Sequence, residues 1–148
     1  MTGGGVQHVA IDLGAGSGRA LVGGPGHGGF RLEEVHRFHY APRRAGGHLR
    51  WDAVSLIAGV HAGLQQAWAA AARARSTIAS IGVDSWGVDY ALVDGDGGLV
   101  EEPICYRDDR TAGIMDGVFD VVPRDEIYAR TGIQFMPFNT LFQLAAHV

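Results

Sequence analysis

The stretch AIDLGAGSGRALVGG, residues 10–24, sets three glycines, a serine and an arginine between two apolar runs, with Asp12 just before the first glycine. Residues 8–13, which lead up to the first glycine, follow the period-two pattern that predicts a β-strand, and a second short strand is predicted at 19–22. Small residues let backbone N–H groups approach phosphate oxygens closely. The stretch therefore predicts either a phosphate site or an ordinary glycine hairpin.

Three familiar motifs do not fit this stretch. Its G-x-G-x-G spacing is one residue short of the dinucleotide fingerprint, and the glycine-rich turn predicted at 23–29 would break the helix that the fingerprint needs. The triphosphate loop requires a lysine, but all 12 basic residues are arginines. The serine-hydrolase elbow needs glycine where Ala15 and Arg19 stand. A strand, a hairpin and a strand remain, in which Ser17 and Arg19 could contact phosphates and Asp12 could face Mg²⁺ through water.

The rest of the pattern predicts a mixed sheet with helices packed on it. Strands are predicted at 30–40, 77–84 and 88–94, the second of them buried, and a loop at 43–48. Helices are predicted from the Asp52 cap to about Arg75, at about 109–120 and 124–131, and from Asn139. The long helix has apolar residues on one face, which we expect to be buried: Val54, Ile57, Val60, Leu64, Ala67, Trp68 and Ala71.

A second group of candidate residues lies in DSWGVD, residues 84–89. If the strand ending in Asp84 lies parallel to the one ending in Asp12, both carboxylates reach the sheet edge where ligands of α/β proteins bind. Trp86 offers an amphipathic face for a sugar ring, Gly87 offers open backbone, and Asp84 or Asp89 can accept hydrogen bonds from hydroxyls. An alternative explains the same residues: Trp86 packs in the core, and the aspartates cap the ends of strands.

Length, composition and charge limit the number of domains, the partners and the location that the sequence predicts. The 148 residues suffice for one domain or a piece of one, and the terminal helix without a C-cap predicts a truncated chain. A net charge of −4 with scattered arginines predicts no nucleic-acid or anionic membrane partner. No apolar run is long enough to span a membrane and no signal peptide is apparent, so we expect a cytoplasmic protein. The single cysteine, Cys105, is interpreted as a small buried hydrophobe.

Six segments resemble, in this order and at this spacing, the N-terminal part of the FGGY carbohydrate kinase family. They are VAIDLGAGSGR, HRFHY, LRWDAVSL, IASIGVDSWGVDYALVD, PICYRDDRT and EIYARTGIQFMPFNTLFQL, and the similarity covers nearly the whole chain from His8 to Leu144. DSWGVD and GIQFMPFNTLFQL are typical of the branch that phosphorylates L-rhamnulose. The resemblance implies an actin-like ATPase (ribonuclease H-like) α/β domain, a mixed sheet with helices on both faces, truncated here.

The resemblance also implies roles for particular residues. Asp12 matches the magnesium-associated aspartate, Gly87 matches a sugar contact, and Trp86 and Asp84 are its neighbours. The segment with Arg107, Asp108 and Arg110 matches one near the sugar cleft, although solvated ion pairing explains those charges equally well. The ATP-binding loop is matched by five consecutive residues: Ala15, Gly16, Ser17, Gly18 and Arg19.

In the family, the γ-phosphoryl group of ATP passes to the C1 hydroxyl of the ketose L-rhamnulose, with Mg²⁺ as cofactor. Family members supply the catalytic base, the second phosphate loop and the adenosine pocket from sequence beyond these segments. We therefore expect residues 1–148 to be the N-terminal part of the first kinase domain, without the C-terminal domain and inactive alone. The alternatives are a non-catalytic actin-like nucleotide-binding remnant, or an FGGY kinase for L-fuculose, D-xylulose or glycerol.

Overall fold

The computed structural model describes residues 5–26 and 28–148, which divide into two units. The first unit runs to Ala41 and resumes at Asp52–Trp86, and the second comprises Pro42–Trp51 and Gly87–Val148. The strands are β1 Val6–Leu13, β2 Ser17–Gly26, β3 Gly29–His39, β4 Arg43–Ala45, β5 His48–Arg50 and β6 Thr77–Ser85. The helices are α1 Ala53–Arg73, α2 Ile114–Val121, α3 Arg124–Thr131 and α4 Thr140–Ala145, with a 3-10 turn at Asp109–Thr111.

The first unit is built on a four-stranded mixed sheet in the order β3-β2-β1-β6. β2 is antiparallel to both β1 and β3, whereas β6 is parallel to β1. The alternation of β1 buries Val9 and Ile11 against Ala20 and Val22 of β2 and Ala67 of α1. The mixed sheet and the parallel placement of the strand that ends near Asp84 are thus confirmed.

Helix α1 lies close to the sheet because small residues face it. A Cβ atom on Gly63 would lie 2.8 Å from the Cβ of Ala20, and one on Gly59 would lie 2.3 Å from the Phe38 ring. The predicted cap is confirmed, since the Asp52 carboxylate accepts a hydrogen bond from the Ser55 N–H at 2.9 Å. The helix therefore begins where its sequence predicts and packs through its glycines and alanines.

The predicted apolar face of α1 is only partly right. Val54, Ile57 and Trp68 are exposed, Trp68 to 72%. The contact face instead runs through Gly63, Ala67 and Ala71, the buried residues of the helix. Close approach at the glycines turns this small-residue stripe toward the sheet and the bulkier side chains away from it.

Burial of the predicted strand at 77–84 is wrong. β6 is the last strand of the sheet, and Val83 is 66% exposed although it pairs in register with the buried Ile11. α1 packs mainly over β2 and β3. The apolar run has the composition of a buried strand, but α1 covers little of it beyond Ile78, which packs against the core.

Three further segments differ in the structure from what their sequence predicts. β2 continues through Gly26 and β3 begins at Gly29, so strands occupy much of the predicted turn at 23–29, of which His27 lies outside the described residues. The predicted loop at 43–48 instead forms β4, the turn and the start of β5, and this hairpin turns at two glycines in the left-handed region. The strand predicted at 88–94 is wrong. Val93 pairs with Leu99 in an isolated bridge around a turn that the Asp94 carboxylate caps.

Asp108 holds the second unit together locally. Its buried carboxylate accepts hydrogen bonds from the N–H groups of Leu49 at 2.6 Å and Arg110 at 3.0 Å, and it pairs with His48 Nδ1 at 3.0 Å. Burial alone would raise the pKa of Asp108, but these hydrogen bonds outweigh burial and lower it. Cys105, close by in sequence, is fully buried, which confirms its interpretation as a packed side chain.

No helix in residues 5–26 and 28–148 combines the length and the apolar character needed to cross a membrane.

Replacing Asp108 by asparagine should lower the free energy of unfolding by about 1–3 kcal/mol, because buried N–H groups lose a charged acceptor. The pKa of Asp108 is lower in the folded chain. Its contribution is therefore present above the unfolded pKa, about 3.9, and is lost as pH falls through the folded value. Urea unfolding at pH 7 and at acidic pH checks both points. The control is Asp109→Asn, at the neighbouring exposed position. Equal stability of the two variants would contradict the role of Asp108.

Candidate functional site

The glycine-rich stretch forms a tight β-hairpin. Leu13 pairs with Gly18, and the Gly14 N–H donates to the Ser17 carbonyl at 3.0 Å, which leaves Ala15 and Gly16 at the tip. β2 begins directly at Ser17, so no helix follows the glycines. The predicted strand, hairpin and strand are confirmed, and the geometry of a dinucleotide fold is excluded.

The glycines of this hairpin serve different purposes. A Cβ atom on Gly18 would lie 2.2 Å from the Phe38 ring, so this glycine is required for packing. Around a Cβ atom placed on Gly16, the described residues beyond its chain neighbours leave open space to 4 Å. Packing therefore explains Gly18 and does not explain Gly16, where the main chain at the tip is open to a ligand.

Asp12 and Arg19, which face each other across β1 and β2, form an ion pair. Both side chains are partly exposed, at 32% and 42%. Partly exposed pairs of this kind contribute about 0–1 kcal/mol to stability, so the two groups can exchange partners at little cost. The arrangement places the residues predicted for Mg²⁺ and for phosphate next to each other.

Asp84 lies beside Asp12. The two residues are register partners in the parallel pair of β1 and β6, each one residue before the end of its strand. Paired residues of neighbouring strands point to the same face of a sheet. Asp12 and Asp84 thus lie on the same face at the carboxyl edge of their strands, and Mg²⁺ favours carboxylate oxygen ligands while keeping several of its waters.

Tyr40 and Trp86 adjoin the hairpin within the first unit. The Tyr40 hydroxyl donates to the Gly14 carbonyl at 2.5 Å, and its N–H donates to the Gly16 carbonyl at 3.3 Å. The Tyr40 and Trp86 ring centroids are 6.0 Å apart. Burial, followed by the negative charge of Asp12, raises the pKa of Tyr40 to about 12. Sequence reasoning missed Tyr40, because it reads as an ordinary aromatic residue at the end of a strand.

Gly87 belongs to the second unit, where it lines a cavity of about 520 Å³. The other walls are Val88 and mainly apolar residues between Ile127 and Phe142. Gln143 is buried, and its amide donates to the carbonyls of Val88 and Phe138, each at 2.8 Å. Gln143 thus positions two walls of the cavity, and its signal in the sequence was a lone amide within an apolar helix.

The other charged candidates of the second unit are engaged in internal contacts. Asp89 accepts a hydrogen bond from the Trp51 indole at 2.6 Å. Arg110 donates to Gln143 Oε1 at 2.9 Å, and the Arg107 guanidinium lies 5.2 Å from the centre of the Tyr106 ring. Asp108 is buried, so solvated ion pairing does not account for its carboxylate.

A family model and two curated relatives match nearly the whole chain. The N-terminal domain of the FGGY family of carbohydrate kinases matches residues 8–145. Rhamnulokinase of Bacteroides thetaiotaomicron is 44% identical over 135 residues, which cover 91% of this chain and 27% of that enzyme. Rhamnulokinase of Klebsiella pneumoniae is 45% identical over 146 residues, or 97% of this chain and 29% of that enzyme.

Structural comparison gives the same fold. Ligand-bound xylulose kinase of Lactobacillus acidophilus superimposes with a TM-score of 0.77 at 16% identity, covering 95% of this chain and 28% of that one. The fold is therefore that of the sugar kinases of the actin-like ATPase class. The chain spans less than a third of the length of the curated relatives described above.

A methyl group should have different effects at the two hairpin glycines, Gly16 and Gly18. Gly18→Ala should lower the free energy of unfolding by about 1–3 kcal/mol, because the methyl group overlaps the Phe38 ring. Gly16→Ala should change it by less than about 0.5 kcal/mol, because the site is open. Urea unfolding of both variants tests the difference, and a destabilised Gly16→Ala would refute the open tip.

Tyr40 should ionise unusually late. The phenolate absorbance of the wild type minus that of Tyr40→Phe should titrate with a midpoint near 12. The unfolded chain ionises this tyrosine near 10, so folding stability should fall as pH rises from about 10 to about 12. A difference titration centred at 10 would show that the hydroxyl is neither buried nor close to Asp12.

Proposed function

The chain belongs to the FGGY family of carbohydrate kinases, and on that premise we propose that it supplies the first phosphate hairpin and part of the sugar site of an ATP-dependent ketose kinase. The substrate proposed is L-rhamnulose, and the product is L-rhamnulose 1-phosphate. The proposal rests above all on one observation, the open hairpin tip beside the register pair of Asp12 and Asp84. In this proposal residues 1–148 are the N-terminal part of the first kinase domain.

On the nucleotide side, the hairpin from Ala15 to Arg19 is proposed to contact the phosphates of ATP. The main-chain N–H groups of a tight turn offer dipoles to anionic oxygens, and the open position at Gly16 lets phosphate approach. Arg19 adds a guanidinium when it exchanges Asp12 for a phosphate oxygen. The hydroxyl of Ser17 supplies a further donor.

On the metal side, Asp12 is proposed to hold Mg²⁺ through water. The donor set fits, since Asp12 is partly exposed and lies beside the second carboxylate of Asp84. Mg²⁺ typically takes one or two protein carboxylates together with substrate phosphates. The cation would neutralise charge on the phosphates during transfer.

On the sugar side, Asp84 is proposed to accept hydrogen bonds from hydroxyls, Trp86 to pack against the ring and Gly87 to contact the sugar through its main chain. The close similarity to two rhamnulokinases, at 44% and 45% identity, supports the choice of L-rhamnulose. In the transfer, the C1 hydroxyl oxygen attacks the γ-phosphorus, the bond to ADP breaks, and a carboxylate base takes the hydroxyl proton. We assign that base to no residue of this chain.

The nucleotide proposal predicts that the 148-residue chain binds inorganic tripolyphosphate in the presence of Mg²⁺. Asp12→Asn should abolish the dependence of the affinity on Mg²⁺, while Asp96→Asn, which removes a charge from an exposed site, should leave it unchanged. Gly16→Ala should weaken binding by about tenfold or more, or about 1.4 kcal/mol, because the methyl group blocks the approach of phosphate. Calorimetric titration with and without Mg²⁺ checks this, and equal affinity of all four proteins would contradict it.

The substrate proposal can be tested in a chimera. Residues 1–148 would replace the matching part of Klebsiella pneumoniae rhamnulokinase. The chimera should phosphorylate L-rhamnulose in preference to L-fuculose, D-xylulose and glycerol. Asp12→Asn in the chimera should lower kcat by about 10–100-fold, as loss of a group that holds a metal through water typically does.

The 148-residue chain alone should turn over none of these sugars, and turnover by it would refute the expectation that it is inactive alone. A folded chimera that binds nucleotide without transferring phosphate would favour the alternative of a non-catalytic nucleotide-binding domain. Preference of the chimera for another ketose would overturn the choice of L-rhamnulose.

A further inference from the structure

We infer that Tyr40 is the positioning residue of the hairpin tip, where it orients the peptides on both sides of Ala15–Gly16 and joins them to Trp86. This inference rests on the proposed function, in which the tip contacts nucleotide phosphates. Tyr40 follows β3 directly and lies in none of the segments proposed to contact a ligand. Its role would be indirect, through the main chain that it holds.

The Tyr40 hydroxyl orients the first peptide of the tip. It donates to the Gly14 carbonyl at 2.5 Å. In a planar trans peptide, the carbonyl of one residue and the N–H of the next point in opposite directions. With the Gly14 carbonyl turned toward Tyr40, the Ala15 N–H is directed away from the Tyr40 ring.

The Tyr40 main chain orients the last peptide of the tip. Its N–H donates to the Gly16 carbonyl at 3.3 Å. By the same geometry, the Ser17 N–H is directed away from β3. One residue thus fixes the peptide on each side of Ala15–Gly16, and these peptides belong to the proposed phosphate site.

The Tyr40 ring is itself held in place. Its centroid lies 5.7 Å from that of Phe38 and 6.0 Å from that of Trp86. Phe38 packs against the open faces of Gly18 and Gly59. A continuous series of contacts therefore leads from α1 through Phe38 to Tyr40 and the tip. Trp86, the proposed sugar contact, touches this series at Tyr40, so the two proposed ligand sites meet at one side chain.

The test compares Tyr40→Phe with Tyr128→Phe in the 148-residue chain. The first variant keeps the ring and removes the donor to Gly14, while the second removes the same hydroxyl from a tyrosine that is 57% exposed. The order parameters of the backbone amides are measured by NMR relaxation without ligand, and affinity for Mg²⁺–tripolyphosphate is measured well below the unfolding temperature of each protein. The buried β1 amides of Val9 and Ile11 serve as the internal reference.

Tyr40→Phe should lower the order parameters of Ala15 and Ser17, because the tip loses one anchor, and it should weaken tripolyphosphate binding by about fivefold, the effect of losing one hydrogen bond. Tyr128→Phe should change neither, and the order parameters of Val9 and Ile11 should be the same in all three proteins. If the wild type binds and Tyr40→Phe binds equally well, with unchanged order parameters at the tip, the role of Tyr40 alone is overturned. A wild type that binds no tripolyphosphate overturns the proposed function of the hairpin, and the role of Tyr40 with it.

Discussion

The main chain reverses direction between Leu13 and Gly18, and the arrangement of the candidate residues in the first unit follows from that reversal. The hydrogen bond from the Gly14 N–H to the Ser17 carbonyl closes the turn, so β2 returns along β1 and brings Arg19 opposite Asp12. On the other side of β1, the parallel pairing with β6 brings Asp84 beside Asp12. The tight turn and the parallel pairing therefore place the Arg19 guanidinium and the carboxylates of Asp12 and Asp84 at one edge of the sheet.

Close packing behind the sheet holds this edge in place. Gly59 and Gly63 let α1 approach within contact distance of Phe38 and Ala20, and Phe38 in turn fills the space over Gly18. Larger residues at these positions would force the helix outward and shift β2 and β3 together. Some glycines of the first unit are therefore structural and at least one, Gly16, is open, a distinction that sequence spacing cannot make.

Much of the first unit could be predicted from the sequence, because its signals are local. The alternation of β1, the Asp52 cap and the helix-breaking run after the hairpin each act within a few residues. The exposure of Val83 and Trp68 could not be predicted, because it depends on how far α1 extends over the sheet. The roles of Tyr40 and Gln143 could not be predicted either, because they depend on partners 26 and 55 positions away in the chain.

The central claim is that the amides of the hairpin tip receive the phosphates of a nucleotide. A crystal structure of the chain with Mg²⁺ and a non-hydrolysable ATP analogue tests it most directly. The account predicts phosphate oxygens within hydrogen-bond distance of main-chain N–H groups between Ala15 and Gly18, with Mg²⁺ held through water by Asp12. Phosphates bound elsewhere on the chain, or glycines that lead into a helix, would contradict it.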